Sequence, residues 1–125
     1  FPPAYGLSWV LPRMVGMTRA NDLLLSSRRF TSEEALDWGI FNGLFAREAL
    51  ADAVQQYAED LVARNAPQAL RVTKYQIYRD LHQDVASAVH YSEQQIVSMS
   101  QTPDFREGVA AFLEKRPPQW QGETE

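Results

Sequence analysis

The sequence predicts a mainly α-helical fold with one or two short strands, and three observations support this prediction. Beyond residue 46, apolar residues recur at intervals of three and four positions, as on one face of an amphipathic helix. Residues that favour helix N-caps precede these segments, and proline, glycine or asparagine separates them. Before residue 47, residues that end helices occur at shorter intervals. We therefore expect short helices and extended segments in residues 1–46 and a helical subdomain in residues 47–125.

Two short helices are expected at the start of the first part. One begins near Tyr5 and ends at Gly16, a plausible C-cap, although Pro12 limits its regularity. Thr18 is the predicted N-cap of the next helix, which carries three consecutive leucines. Both helices are short because each is bounded by a residue that favours a helix end.

A third short helix follows and leads into an extended segment. Thr31 and Glu34 have the spacing of a capping box, in which each side chain bonds the other residue's backbone amide. Gly39 is expected to end this helix. Residues Ile40 to Phe45 then predict a short strand or an extended linker.

Four longer helices are predicted in the second part. Pro67 falls in the first turn of the second of these helices, and Asp84 caps the third. Thr102 and Pro103 begin the fourth, which runs to about Lys115. The first of the four has an apolar face that we expect to point into the core, formed by Leu50, Ala53, Val54, Tyr57, Ala58, Leu61 and Val62.

Composition excludes several classes of function. The 45% hydrophobic content is enough for a core, and the formal net charge of −4 disfavours nucleic-acid binding. The sequence has no cysteine, which excludes disulfides, thiolate nucleophiles and cysteine-based zinc sites. No apolar run is long enough to cross a membrane. Because the sequence opens with Phe1 rather than Met, we expect it to be part of a longer polypeptide whose targeting is not assessable.

Three segments together resemble one known family in their order and spacing. They are Leu11-Pro12-Arg13-Met14-Val15-Gly16, then Phe30 to Phe41 with Thr31, Glu34, Ala35 and Gly39, then Asp104 to Trp120 with Glu107-Gly108, Ala111-Phe112 and Lys115-Arg116. On these motifs the chain is similar to the C-terminal half of the crotonase superfamily, the enoyl-CoA hydratase/isomerase family. The last segment is the most specific of the three.

The resemblance implies a fold and an activity. The fold would be the end of the β/α spiral core followed by a C-terminal helical trimerisation subdomain. The activity would be that of an acyl-CoA enzyme that stabilises a thioester enolate, most simply an enoyl-CoA hydratase or isomerase. The family's oxyanion-hole amides and catalytic glutamates would precede this sequence, so the chain alone is expected to be inactive.

The resemblance also implies site residues. The backbone amide of Ala4 would help to position water, while Tyr5 and Leu7 replace a glycine-rich loop and would shape the acyl pocket. Phe112 and Lys115 would approach the adenine and phosphate end of coenzyme A. Their plain alternatives are a core aromatic and a cation favoured by the helix dipole.

The expected partners follow from the same resemblance. Coenzyme A thioester would be the substrate, with no covalently bound cofactor and no metal. The assembly would be a homotrimer or a dimer of trimers, without nucleic acid or membrane, and the location cytoplasmic.

A second hypothesis stays open. It is a non-catalytic helical assembly domain, in which the small-residue helix from Asp84 to Ser100 serves self-association. Glu33 and Glu34 are more typical of first-turn capping than of acid/base catalysis. His82 and His90 are too far apart in sequence for a metal site on one helix.

Overall fold

The computed structural model describes residues 2–122 and confirms a mainly helical fold. The outer ends of the two predicted domains, residue 1 and residues 123–125, lie outside the described residues. The chain divides into two compact units after Ala53. The predicted division after residue 46 stays a prediction. The helices are α1 (Leu7–Ser26), α2 (Ser32–Asp37), α3 (Leu50–Arg64), α4 (Pro67–Asp80), α5 (Val85–Met99) and α6 (Pro103–Glu114).

In the first unit, α1 is interrupted where the sequence predicts a helix end. Gly16 has φ 79° and ψ 161°, a conformation that is not helical and that residues with a side chain rarely adopt. Pro12 is accommodated inside the preceding turns. The buried core of the unit is formed by Leu11, Val15, Ala20 and Leu23, with Leu24, Trp38 and Ile40 packed against it.

The capping box of α2 is confirmed. The Thr31 hydroxyl accepts a hydrogen bond from the Glu34 amide at 3.2 Å, and the Glu34 carboxylate accepts one from the Thr31 amide at 2.9 Å. Gly39 follows the helix with φ 76°, as expected of a C-terminal glycine. Local chemistry alone therefore sets both ends of this short helix.

The predicted strand over Ile40 to Phe45 is wrong. Residues 2–122 contain no strand, and this segment is irregular backbone, which agrees with the alternative of an extended linker. A strand needs a neighbour to complete its hydrogen-bond ladder, and no described segment of this chain pairs with it. Short apolar runs cannot reveal whether such a neighbour exists.

The helix starts predicted for the second unit are confirmed. Pro67 lies in the first turn of α4. The Asp84 carboxylate accepts from the Ser87 amide at 3.0 Å, and the Thr102 hydroxyl accepts from the Phe105 amide at 3.2 Å. These bonds satisfy amides that have no partner within the first helical turn.

The expectation that α3 turns its apolar face into a core is wrong for the described residues. None of its residues is buried, and Leu50, Val54, Tyr57, Leu61 and Val62 are all exposed. The periodicity correctly indicated a helix with one apolar face, but it contains no information about which surface covers that face. None of the helices in residues 2–122 combines the length and apolarity of a membrane-spanning helix.

Candidate functional site

The end of α6 carries both residues that the sequence links to coenzyme A. The Lys115 amide donates to the Phe112 carbonyl at 3.3 Å, and the Arg116 amide donates to the Ala111 carbonyl at 3.1 Å. This pair of bonds is a Schellman motif, which normally has glycine at its left-handed position. Here Lys115 occupies that position with φ 54° and ψ 40°, a conformation that costs a residue with a side chain roughly 1 kcal/mol.

Phe112 lies on the solvent side of α6. Its side chain is 82% exposed, so the alternative that it is a core residue is wrong for the described structure. It borders an open groove of about 440 Å³ between α6 and the junction of α3 with α4. Other residues lining this groove are Asn65, Ala69, Phe105, Val109 and Trp120.

Next to Lys115, the guanidinium of Arg116 is held by Glu107. Nη1 and Nη2 of Arg116 donate to the two oxygens of Glu107 at 2.6 and 3.0 Å. The Gln119 amide donates to the same carboxylate at 2.7 Å. A two-pronged bond of this kind fixes both the position and the plane of the guanidinium. Arg116 also donates from Nε to Glu114 at 2.6 Å.

A second carboxylate holds the residues beyond α6. Asp104 is only 5% exposed. Its oxygens accept hydrogen bonds from the Gln121 amide at 2.7 Å and the Gly122 amide at 3.2 Å. The first turn of α6 thereby binds the backbone that leaves its last turn, and residues 117–122 run back along the helix.

Trp120 joins this backbone segment to α3. Its indole Nε1 donates to the Ala63 carbonyl at 3.1 Å, one of the last carbonyls of α3, which have no partner within the helix. A Cβ at Gly108 would lie 3.4 Å from the indole ring, so glycine leaves space for Trp120 against α6. We refer to Asp104, Glu107, Gly108, Arg116 and Trp120 as the C-terminal clasp.

The clasp has a clear electrostatic signature. The Arg116 guanidinium and then the Gln119 amide stabilise the Glu107 carboxylate, and they lower its pKa from 4.5 to about 2. The same bonds, first to Glu107 and then to Glu114, raise the pKa of Arg116. Glu107 and Arg116 are therefore both charged across the whole range in which enzymes operate.

The other predicted site residues lie at the start of the first unit. Ala4 is exposed, and its carbonyl accepts from the Leu7 amide at 3.1 Å, which closes the turn before α1. Tyr5 and Gly6 both have positive φ, of 56° and 73°, and the side chains of Tyr5 and Leu7 are exposed. The structure thus places Ala4, Tyr5 and Leu7 in one turn, and Phe112 and Lys115 on one helix end. Their roles in binding stay predictions.

The remaining candidates are occupied by local contacts. Glu34 belongs to the capping box, and a backbone hydrogen bond followed by the Thr31 side chain lowers the pKa of Glu33. His90 contacts the Gln94 amide nitrogen at 3.1 Å. Across residues 2–122, no three His, Asp or Glu side chains converge closely enough to hold a metal ion.

Comparison with known proteins decides the family. The family model described as "Enoyl-CoA hydratase/isomerase" matches residues 1–123. The chain belongs to the enoyl-CoA hydratase/isomerase family. Among curated proteins, it is 33% identical over 124 residues to mitochondrial methylglutaconyl-CoA hydratase of Mus musculus, matching 97% of this chain and 40% of that protein. It is 35% identical over 117 residues to carnitinyl-CoA dehydratase of Citrobacter koseri, matching 90% of this chain and 44% of that protein.

Solved structures of the enoyl-CoA hydratase/isomerase family share the fold. An enoyl-CoA hydratase from Bacillus anthracis superposes with a TM-score of 0.90 at 31% identity, over 98% of this chain and 47% of that one. A probable enoyl-CoA hydratase/isomerase from Mycobacterium abscessus superposes with a TM-score of 0.90 at 27% identity, over 98% of this chain and 48% of that one. The chain thus spans rather less than half the length of these relatives. The predicted family and the predicted C-terminal part of a crotonase-like fold are confirmed.

The clasp of this chain has no explanation in the sequence alone. In the sequence, Asp104, Glu107, Gly108, Arg116 and Trp120 are only members of the last of the three motifs. In the structure they are one network that returns the backbone along α6. An acid nine residues before an arginine, followed by two prolines and a tryptophan, is the available signal for such a return.

Proposed function

We propose that this chain is the C-terminal portion of an acyl-CoA enzyme that stabilises a thioester enolate, as an enoyl-CoA hydratase or isomerase. The observation that carries the proposal is the match of the family model to residues 1–123. The names of the curated relatives support it, since methylglutaconyl-CoA and carnitinyl-CoA are both coenzyme A thioesters. The reacting groups, an oxyanion hole and two glutamates, would lie on polypeptide outside this sequence.

Within this proposal, the end of α6 binds the nucleotide end of coenzyme A. Phe112 offers an uncovered aromatic face to the adenine ring. Lys115 lies one turn further along, at the end of the helix, and offers an ammonium group to a phosphate. Both groups are exposed in the chain described. Their contribution is affinity for the cofactor portion of the substrate rather than bond making.

At the other end of the chain, the turn at Ala4 would contribute to the acyl side of the same enzyme. The Ala4 amide is the proposed donor to the attacking water, and a backbone donor does not depend on the side chain. Tyr5 and Leu7 would narrow the acyl pocket, because the family usually has smaller residues in this loop. No metal and no covalently bound cofactor are needed for this chemistry.

The assembly and location are further parts of the proposal. The exposed apolar faces of α3, α4 and α5 support burial against other polypeptide, as in a homotrimer or a dimer of trimers. The cytoplasm is the proposed location. The name of the mouse relative assigns that protein to mitochondria, so location varies among relatives.

The experiment that tests the proposal compares two proteins in a crotonyl-CoA hydration assay. The intact protein containing this sequence should turn over crotonyl-CoA or isomerise a 3-enoyl-CoA, because it would supply the glutamates. The 125-residue chain alone should give no turnover above buffer. Turnover by the chain alone would contradict the assignment of the carboxylates, and an intact protein inactive on every acyl-CoA tested would contradict the proposed function.

The same exposed apolar faces also favour the second hypothesis, a helical assembly domain without chemistry. Val85 is 80% exposed and Ile96 is 68% exposed on α5. Lys115→Ala distinguishes the two hypotheses in the intact protein. An acyl-CoA enzyme should lose affinity for coenzyme A and keep its oligomeric state, whereas an assembly domain should show no ligand effect.

A further inference from the structure

Lys115 adopts a conformation that its residue type disfavours. Its φ of 54° and ψ of 40° lie in the left-handed region, and the Schellman position that it occupies is usually glycine. A side chain kept in such a conformation points to a function for that side chain, provided that surrounding contacts maintain the backbone. The contacts around Lys115 therefore decide what it is held for.

The strongest of these contacts are made by Arg116, the residue that follows Lys115. Arg116 is bound by both oxygens of Glu107, at 2.6 and 3.0 Å. Glu107 lies nine residues earlier on α6 and also accepts from the Gln119 amide at 2.7 Å. Lys115 thus lies, with its side chain exposed, between the helix that it ends and a backbone segment that is bound back to that helix. Its left-handed turn connects the two.

We propose that Glu107 and Arg116 are positioning residues that hold Lys115 in its left-handed turn and so direct its ammonium group to the ribose phosphate of coenzyme A. The inference rests on the proposed function, since it names the part of the substrate that this helix end recognises. Glu107 and Arg116 do not touch the ligand. They act through the backbone of Lys115.

Glu114 offers a matched control for Glu107. Both carboxylates bind Arg116, but Glu114 makes one bond, to Nε at 2.6 Å, and its side chain is 61% exposed. Glu107 makes two bonds to Arg116 and a third to Gln119, and its side chain is 18% exposed. We therefore expect removal of the Glu107 charge to loosen the backbone around Lys115, and removal of the Glu114 charge to leave it in place.

The test is a mutant cycle read by calorimetry on the intact protein. Coenzyme A and dephospho-coenzyme A, which lacks the ribose phosphate, are titrated into wild type, Lys115→Ala, Glu107→Gln, the double variant and Glu114→Gln. Lys115→Ala should weaken coenzyme A binding about tenfold, and Glu107→Gln about threefold. Neither should change the binding of dephospho-coenzyme A. The double variant should be no weaker than Lys115→Ala, and Glu114→Gln should match wild type.

The outcomes separate the positioning role from the proposed function. If Glu107→Gln weakens both ligands equally, or weakens binding further in the Lys115→Ala background, its role is structural and the positioning inference is overturned. If wild type binds neither ligand, the proposed function fails, and this inference fails with it. If Glu107→Gln does not fold, Arg116→Lys takes its place, because it keeps the cation and loses the two-pronged bond. It too should weaken the binding of coenzyme A and leave that of dephospho-coenzyme A unchanged.

Discussion

The C-terminal clasp and the α4–α5 pair show two ways in which this chain organises helices. Both regions have well-defined helix starts, at Thr102 for α6 and at Asp84 for α5. In the clasp, however, a buried Asp104 and the ion pair of Glu107 with Arg116 bind backbone up to 18 residues away. No residue of α4 or α5 is buried.

The contact between α4 and α5 is aromatic and partly open. The rings of Tyr75 and Tyr91 lie 5.8 Å apart, and the Arg79 guanidinium lies 4.4 Å from the Tyr91 ring centre. Such contacts hold two helices side by side but leave their outer apolar faces uncovered. In this chain, caps thus set where helices begin, while the carboxylates of the clasp set the course of the backbone after α6.

The largest expected effect is the loss of the Asp104 anchor. Asp104→Ala removes two charge-assisted hydrogen bonds to the Gln121 and Gly122 amides and should lower the free energy of unfolding by about 2 kcal/mol. Urea denaturation followed by circular dichroism measures this change. Asp37→Ala is the control, since Asp37 is exposed at the end of α2, and it should be neutral. If the two variants had the same free energy of unfolding, the hydrogen bonds of Asp104 would not stabilise the protein, and the clasp would not differ from the α4–α5 pair in this respect.

A smaller loss is expected at the cap of α6. Thr102 accepts from the Phe105 amide at 3.2 Å and donates to the Met99 carbonyl at 2.8 Å. Thr102→Ala should destabilise the protein by about 1 kcal/mol, while Thr102→Ser keeps the hydroxyl and should retain most of the stability. Thermal unfolding of the pair measures the difference. Indistinguishable melting temperatures would show that the cap does not stabilise α6.

The clasp should also give the protein a specific acid sensitivity. Because folding lowers the pKa of Glu107 from 4.5 to about 2, the native state favours the charged carboxylate. Its stabilising contribution is complete above pH 4.5 and is lost as the pH falls from 4.5 through 2. Melting temperatures from pH 7 to pH 2.5 should therefore decline less steeply in Glu107→Gln than in wild type. Parallel curves would contradict the strength of the bond to Arg116.

The smallest effect is expected on α5. Ile96 is 68% exposed, so Ile96→Ser removes little buried apolar surface and should change the free energy of unfolding of the dilute 125-residue chain by less than about 0.5 kcal/mol. Urea denaturation at low protein concentration tests this. A loss of stability as large as that of Asp104→Ala would show that the apolar face of α5 is covered in solution. The α4–α5 pair would then not be less buried than the clasp.

The sequence predicted the parts of the fold that depend on near neighbours. The capping box of Thr31 with Glu34, the caps at Asp84 and Thr102, and the break at Gly16 each involve residues within one helical turn. Their chemistry can be read from residue type and spacing. The family resemblance was equally accessible, because it depends on the order of short motifs.

The parts that were missed or wrong depend on distant partners. Trp120 binds the Ala63 carbonyl 57 residues away, and no spacing rule connects such a pair. Of the two alternatives for Ile40 to Phe45, the strand was wrong because pairing requires a second segment, whereas the extended linker agrees with the structure. Of the candidate site, the sequence named Phe112 and Lys115, whose binding roles stay predictions, but not the clasp around them. The left-handed turn at Lys115 gave no signal, since glycine is the residue expected there.

The proposed roles of Phe112 and Lys115 require that the end of α6 belongs to a site for coenzyme A thioesters. The most direct measurement is a calorimetric titration of the intact, folded protein with an acyl-CoA that it does not turn over. We predict saturable binding with one ligand per chain, and weaker binding by the Lys115→Ala variant. Absence of any binding heat across several temperatures, with the protein folded throughout, would contradict it.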